Sequence, residues 1–133
     1  MSARAGNKVS SLKIREAEEG IWRVITDITE ALRRQDLEAY MSGFHREVFV
    51  ARPKLRLLEG IEQWRKSMEE DIRTPIIVTY DKVHLMISDS CDWGYCVADF
   101  KYVMGQIEGY EILHATFKKF GREWRIVAFS LVR

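Results

Sequence analysis

Cysteine is scarce in this chain, which has only Cys91 and Cys96, and these two are not spaced as a CxxC pair. No further cysteine or histidine pair stands at zinc-ligand spacing, so we expect two free thiols, no metal, no cofactor and a reducing cytoplasm. No apolar run approaches the roughly 18 residues of a membrane helix, and the first residues lack the apolar stretch of a signal peptide. These absences favour a soluble cytoplasmic protein with no membrane partner.

The chain also lacks an excess of charge of either sign. Its 21 basic and 20 acidic residues leave a formal net charge of +1. Opposite charges are mixed along the chain, as where Arg65-Lys66 precedes Glu69–Asp71, which is typical of solvated helix surfaces rather than a phosphate-binding stripe. We therefore expect no nucleic-acid partner.

Apolar residues in the first half recur every three or four positions, as on the buried face of a helix. This period predicts a long helix from about Ser11 to Arg34. Residues 1–10 are mostly polar and non-periodic, so we expect a flexible tail ahead of a single domain at residues 11–133. The length suits one domain with a substantial core.

Two more helices and a sheet follow. Asp36 is placed to cap a short second helix, and Gly60 begins a third helix, which ends at Thr74-Pro75 because proline disfavours a helical residue before it. A short strand is predicted at Val48–Val50, with a hairpin or loop at Lys54–Glu59. The period then falls to two in four long segments with short connections, which predicts an antiparallel meander and an α+β layer arrangement. These segments are Ile76–Ser88, Trp93–Met104, Tyr110–Phe120 and Trp124–Val132.

Two stretches carry a resemblance to a known family. They run from Asp36-Leu37-Glu38-Ala39-Tyr40 through Val48-Phe49-Val50 to Gly60, and from Ala115 to Val127 through the Gly121 turn and Trp124. In these stretches the chain resembles SnoaL-like proteins of the nuclear transport factor 2-like class. The resemblance implies an α+β fold in which a cone-shaped, curled antiparallel sheet packs against three N-terminal helices and encloses a cavity. Because unrelated chemistries occur on this fold, it implies no particular reaction.

A comparison with ketosteroid isomerase, a relative in this class, gives a negative expectation. The positions that match its two hydrogen-bond donors and its base by spacing are Ile28, Ala115 and Arg52. Isoleucine and alanine donate no hydrogen bond, and arginine stays protonated and cannot act as a base. We therefore expect no ketosteroid isomerisation.

The same matching assigns strand faces by two-residue alternation. Leu113, Ala115 and Phe117 are predicted to face the cavity, whereas His84 and His114 share the outer face with Asp99 as surface or interface residues. On the last strand the inward set is predicted to be Trp124, Ile126, Ala128, Ser130 and Val132. The outward set, Val127, Phe129 and Leu131, then predicts a homodimer through the outer sheet face.

Arg52 is the residue most suggestive of function, because the resemblance directs its position toward the cavity mouth. It either binds an anionic ligand group, or pairs with an acid such as Glu47 or Glu111, or is exposed. No carboxylate is among the predicted inward positions. The other candidate lining residues either contact a ligand or fill the core; they are Trp22, Ile28, Tyr40, Trp64, Phe100, Tyr102, Leu113, Ala115, Phe117 and Ser130.

Two functions of different classes remain open at this point. The first is a protein that binds a small, largely apolar and in one version anionic ligand in the cavity, with an unnamed reaction. The second is a non-catalytic association module that uses the outer sheet face. An open cavity with converging polar groups favours the first, and a filled cavity beneath a large apolar sheet face favours the second.

Overall fold

The computed structural model describes the backbone of residues 3–133 and the side chains of residues 11–133. Three helices and six strands form this part of the chain. In order they are α1 (Ala3–Arg34), α2 (Leu37–Met41), β1 (Phe44–Ala51), β2 (Leu58–Glu59), α3 (Ile61–Asp71), β3 (Ile76–Ile87), β4 (Trp93–Met104), β5 (Ile107–Phe120) and β6 (Glu123–Val132). No helix in the described residues is long and apolar enough to cross a membrane.

The strands form one curled sheet in the order β2-β1-β6-β5-β4-β3. Strands β3 to β6 make the predicted antiparallel meander. Strand β1 joins β6 in parallel, so the sheet is mixed rather than wholly antiparallel. A parallel pair needs a long crossover, and here α3 and the meander supply it. The predicted α+β class is confirmed.

Helix α1 packs on the sheet through the predicted apolar stripe, in which Ile21, Ile25 and Ile28 are buried. The predicted start near Ser11 is wrong, because the helix begins at Ala3. Residues 3–10 contain no proline that would stop a helix, and they lack the apolar period from which its start could be read. Mobility of residues 1–10 stays a prediction, and Met1 and Ser2 lie outside the described residues.

The two predicted helix starts are confirmed. The Asp36 carboxylate accepts a hydrogen bond from the Ala39 N–H at 3.1 Å and so caps α2. Gly60 precedes α3 with φ of 91°, a conformation that glycine adopts without steric cost. Its N–H donates to the Val48 carbonyl at 2.7 Å, and its carbonyl accepts from Trp64 at 3.2 Å, which ties β1 to α3.

A β-bulge in β6 reverses the predicted faces of the last strand. Phe117 pairs with Ile126, but Thr116 pairs with Ala128, so Val127 is the extra residue. Each inserted residue shifts the alternation by one, and side chains beyond it exchange faces. Trp124 and Ile126 are buried as predicted, whereas the predictions for the residues after the bulge are wrong.

Beyond the bulge, Phe129 and Leu131 are only 6% and 7% exposed, on the inner face. Ala128 and Ser130 lie on the outer face, as their pairing with Phe49 and Ala51 of β1 indicates. Val132 is 39% exposed and does not enter the cavity. Phe129 and Leu131 therefore cannot provide the outer contact that the predicted homodimer used.

Close packing of α1 on β6 predicts the effect of Gly20→Ala. A Cβ at Gly20 would lie 2.4 Å from Cδ1 and 2.6 Å from Nε1 of the Trp124 ring. Glycine to alanine in a helix normally gains about 0.5–1 kcal/mol, but overpacking costs about 1–3 kcal/mol. We expect a net loss of about 1 kcal/mol in the free energy of unfolding, measured with urea.

Glu19, the exposed residue next to Gly20, supplies the control for this substitution. Glu19→Ala places the same side chain in the same turn of α1 on its exposed side, so its effect should stay within about 0.5 kcal/mol. A Gly20→Ala variant that is more stable than the wild type would show that α1 and β6 are less tightly packed than described.

Candidate functional site

A cavity of about 120 Å³ lies between the helices and the inner face of the sheet. Helices α1 and α3 contribute Ile28, Leu32, Trp64 and Met68, and the strands supply most of the remaining wall. Six aromatic rings dominate that wall: Tyr40, Trp64, Tyr80, Phe100, Tyr102 and Phe129. The cavity is therefore suited to a small apolar or flat molecule.

Arg52 reaches the cavity from the residue after β1, and it is already paired. Its Nη1 donates to Asp71 Oδ2 at 3.1 Å and lies 3.5 Å from the Ser67 hydroxyl oxygen. The guanidinium carbon also lies 5.8 Å from the Trp64 ring centroid, within cation–π range. Both members of the ion pair are about one quarter to one third exposed.

The acid that pairs with Arg52 is Asp71, neither of the two acids named from the sequence. Glu47 is exposed and lies near Arg46 instead. Asp71 and Glu111 both line the cavity, so the prediction that no carboxylate faces inward is wrong. The cavity wall therefore carries one guanidinium and two carboxyl groups.

Glu111 is the less exposed of the two acids in this wall. Its side chain is 9% exposed, and Arg133 Nε lies 3.9 Å away, which is too far for a hydrogen bond. Among the residues that the structure describes, no donor forms a hydrogen bond to this carboxyl. Burial raises the pKa of Glu111, while the charges of Arg52 and Arg133 act in the opposite direction. Glu111 is thus a carboxyl that could accept or release a proton inside the cavity.

Two further polar groups belong to residues of the cavity wall. The Thr29 hydroxyl donates to the Ile25 carbonyl at 2.6 Å, so the Tyr80 hydroxyl, 2.8 Å from Thr29 Oγ1, is the donor in that pair. Burial raises the pKa of Tyr80 to about 12, with the Thr29 hydrogen bond partly opposing it. Trp64 Nε1 is buried and has no hydrogen-bond partner within residues 11–133.

Of the eleven residues predicted to bind a ligand, six line the cavity: Ile28, Tyr40, Arg52, Trp64, Phe100 and Tyr102. Leu113, Ala115 and Phe117 face inward as predicted, but they are buried in the core without lining this cavity. Trp22 is 42% exposed, because it stands one residue off the Ile21 and Ile25 stripe of α1. Ser130 lies on the opposite face because of the bulge. Ligand binding by these residues stays a prediction.

Asp71 and Tyr80 are lining residues that the sequence-based prediction omits, and it names Glu111 only as a possible partner of Arg52, although a signal exists for each. Asp71 follows Trp64 by seven residues and Met68 by three, so it shares their helix face. Glu111 stands two residues before the inward-facing Leu113, and Tyr80 alternates in the same way with the buried Ile76. Extending the alternation to each strand end would have found the two strand residues.

The histidines of the outer face behave as predicted. His84, Val97 and His114 form one row across β3, β4 and β5, and Asp99 lies on the same face. His114 Nδ1 forms a hydrogen bond with the Tyr95 hydroxyl. Among the described residues, no group of three or more potential metal ligands comes together.

The prediction of free thiols is confirmed for both cysteines. Burial raises the pKa of Cys96 to about 11, which disfavours the reactive thiolate.

The family is decided by comparison of the sequence with known domains. The SnoaL-like domain family matches residues 21–131. The chain belongs to the SnoaL-like domain family. No curated protein matches it in sequence.

Solved structures agree on the fold of this SnoaL-like protein. An NTF2-like protein of unknown function from Pseudomonas putida has a TM-score of 0.78 at 12% identity, covering 87% of this chain and 85% of that one. An NTF2-like protein with a cystatin-like fold from Novosphingobium aromaticivorans gives 0.72 at 14% identity, with 96% and 88% covered. A ketosteroid isomerase-like protein from Erwinia carotovora atroseptica gives 0.65 at 11% identity, with 86% and 93% covered. At these identities the likeness shows the fold alone.

The positions matched to ketosteroid isomerase do not account for the polar groups of this cavity. Ile28 and Arg52 line it, but Ala115 does not. The two carboxyls, Asp71 and Glu111, enter from α3 and β5 at positions outside that match. Any proton transfer in this cavity would therefore involve different residues.

The raised pKa of Glu111 predicts how the stability of the protein depends on pH. The ordinary pKa of glutamate is about 4.3, and the pKa of Glu111 is higher in the folded state. The folded state therefore binds the proton more tightly, and this contribution to stability is lost as pH rises through the folded pKa. Glu111→Gln removes it, so its stability relative to the wild type should increase from about pH 4 to about pH 7.

Urea unfolding at the two pH values measures this difference. Glu108→Gln is the matched control, because it removes an exposed carboxyl from the same strand and should show a much smaller change with pH. A Glu111→Gln variant that loses stability relative to the wild type as pH rises would contradict the raised pKa.

Proposed function

We propose that this SnoaL-like protein binds a small, largely apolar molecule in the cavity between its helices and sheet. The single observation that carries the proposal is a cavity of about 120 Å³ whose wall combines six aromatic rings with a partly buried carboxyl that accepts no hydrogen bond from residues 11–133. A dry cavity of about 150 Å³ in another protein accepts benzene. A ligand with one ring is therefore of suitable size.

The polar groups of the wall favour a ligand that is not a pure hydrocarbon. The Glu111 carboxyl and the Arg52–Asp71 pair line the cavity, and polar groups that lose water when a ligand binds need hydrogen-bond partners. A ligand N–H or O–H group would be such a partner for the Glu111 carboxyl. A hydrogen-bonding group on an otherwise apolar ring therefore suits both the aromatic wall and the carboxyl.

The anionic version of the ligand, predicted from Arg52 alone, loses its main support. An anion was expected because an unpaired guanidinium in an apolar cavity is costly, but Asp71 already neutralises Arg52. A ligand anion would have to displace Asp71 and would also meet Glu111. The proposal therefore keeps the apolar ligand and drops the preference for an anion.

Thermal shift with single-ring compounds that differ only in their polar group tests this function. At roughly 100 times its Kd, a ligand that binds only the folded state stabilises it by about 2.7 kcal/mol. We expect a saturable rise in Tm for the wild type. Leu131→Trp should abolish the rise, because Leu131 lines the cavity and a larger side chain would fill it.

Val132→Trp is the matched control for the filling variant. It adds the same ring to the next residue of β6, which is exposed outside the cavity, and should keep the Tm rise. The absence of a rise with every compound, or a rise that persists in Leu131→Trp, would count against cavity binding.

The second candidate function, association between copies, is favoured by a specific groove on the outer face. We propose that this face forms a homodimer, now through residues different from Phe129 and Leu131. The groove is largely apolar, and Phe49 and Leu57 at its edge are 50% and 55% exposed. A second copy would cover these side chains, which are costly to leave in water. This association is compatible with ligand binding in the cavity.

Light scattering after size-exclusion chromatography tests the homodimer. Phe49→Glu should shift the mass from dimer to monomer, because a carboxylate would be buried in the interface. Leu12→Glu, at an exposed apolar residue of α1, is the control that should leave the mass unchanged. A wild type that is monomeric at tens of micromolar would overturn the proposal.

A further inference from the structure

We propose that the ligand is a small single-ring amine, whose cationic group binds the Glu111 carboxylate inside the aromatic wall. This inference rests on the proposed function, since it names the chemical class of the molecule that the cavity binds. Charge, the aromatic wall and the bonding state of Glu111 support it independently.

The balance of charge in the wall favours a cation. Arg52 and Asp71 neutralise each other at 3.1 Å. Glu111 is the other ionisable acid of the wall and has no hydrogen bond among residues 11–133, and the wall contains no lysine or histidine. An ionised Glu111 therefore leaves one negative charge that a ligand can compensate. A buried charge is costly unless it is paired and hydrogen-bonded, and an ammonium group provides both.

An aromatic cluster opposite Glu111 suits the same cation. Phe100 stands directly opposite Glu111 in the ladder of β4 and β5, and both side chains face the cavity. The Phe100 centroid lies 5.8 Å from that of Tyr80 and 6.0 Å from that of Tyr102. Aromatic faces attract cations, and the attraction is stronger where water is excluded. A carboxylate opposite one ring of an aromatic cluster combines the two kinds of group that bind an amine.

Arg133 is the group of the protein that competes with such an amine. It approaches Glu111 from the chain end next to β6, is 64% exposed and lies 3.9 Å away. At that distance it forms no hydrogen bond, so the Glu111 oxygens remain able to accept from a ligand N–H. Because the Arg133 guanidinium is mostly exposed and forms no hydrogen bond to Glu111, this ion pair contributes little.

Three matched probes distinguish the possible ligand classes: benzylamine, benzyl alcohol and benzoate. Titration calorimetry near neutral pH should show benzylamine binding at least about tenfold more tightly than benzyl alcohol, since hydrogen bonds to charged groups are the stronger ones. Benzoate should bind more weakly than the alcohol. The preference for the amine should disappear in Glu111→Gln and remain in Glu108→Gln, which removes an exposed carboxyl of the same strand.

A second variant keeps the test independent of folding defects. Glu111→Asp retains the charge and should retain a preference for the amine, even if Glu111→Gln does not fold. Equal binding of amine and alcohol, or an amine preference that survives in Glu111→Gln, would overturn the inference and leave cavity binding intact. If benzoate binds most tightly and this binding is lost in Arg52→Met, the ligand class is an anion rather than an amine, and the inference is likewise overturned. Binding of none of the three probes would overturn both the inference and the proposed function.

Discussion

The extra residue at Val127 is the constraint on which both surfaces of the sheet depend. Without the bulge, regular alternation would point Phe129 and Leu131 to the outside and Ser130 toward the helices. With it, two large apolar side chains close the cavity, and small residues are left on the outer face beside Phe49. One inserted residue thus places Phe129 and Leu131 in the cavity wall and leaves the small residues Ala128 and Ser130 in the outer groove.

Within that cavity, the pairing of Arg52 with Asp71 determines which charged group of the wall remains without a hydrogen-bonded partner. The pair is held between the end of β1 and the end of α3, and the Trp64 ring lies beside the guanidinium. Its members are partly exposed, so its contribution to stability is modest. The pair also neutralises the positive charge that the sequence predicted at the cavity mouth. Glu111 is then the charged group of the wall that has no hydrogen-bonded partner among residues 11–133.

The features that the sequence predicted correctly are those that depend on a local pattern of residues. Helix spacing located the buried stripe of α1, and Asp36 and Gly60 marked helix starts, because capping and backbone conformation are properties of single residues. The predictions were wrong where a tertiary contact determines the structure. The bulge at Val127 is determined by how β6 pairs with β5, and the residue types around it do not indicate its position. The choice of Asp71 as the partner of Arg52 likewise requires knowing which end of α3 approaches β1.

The Glu111 carboxyl is a group that a core built only for stability would replace with an apolar residue. Its side chain is 9% exposed, burial raises its pKa, and no donor among residues 11–133 forms a hydrogen bond to it. Under the proposed function, a bound molecule that donates to this carboxyl would offset the cost, because polar groups removed from water are stable only when they are hydrogen-bonded. Binding to the folded state alone would then stabilise the protein by mass action.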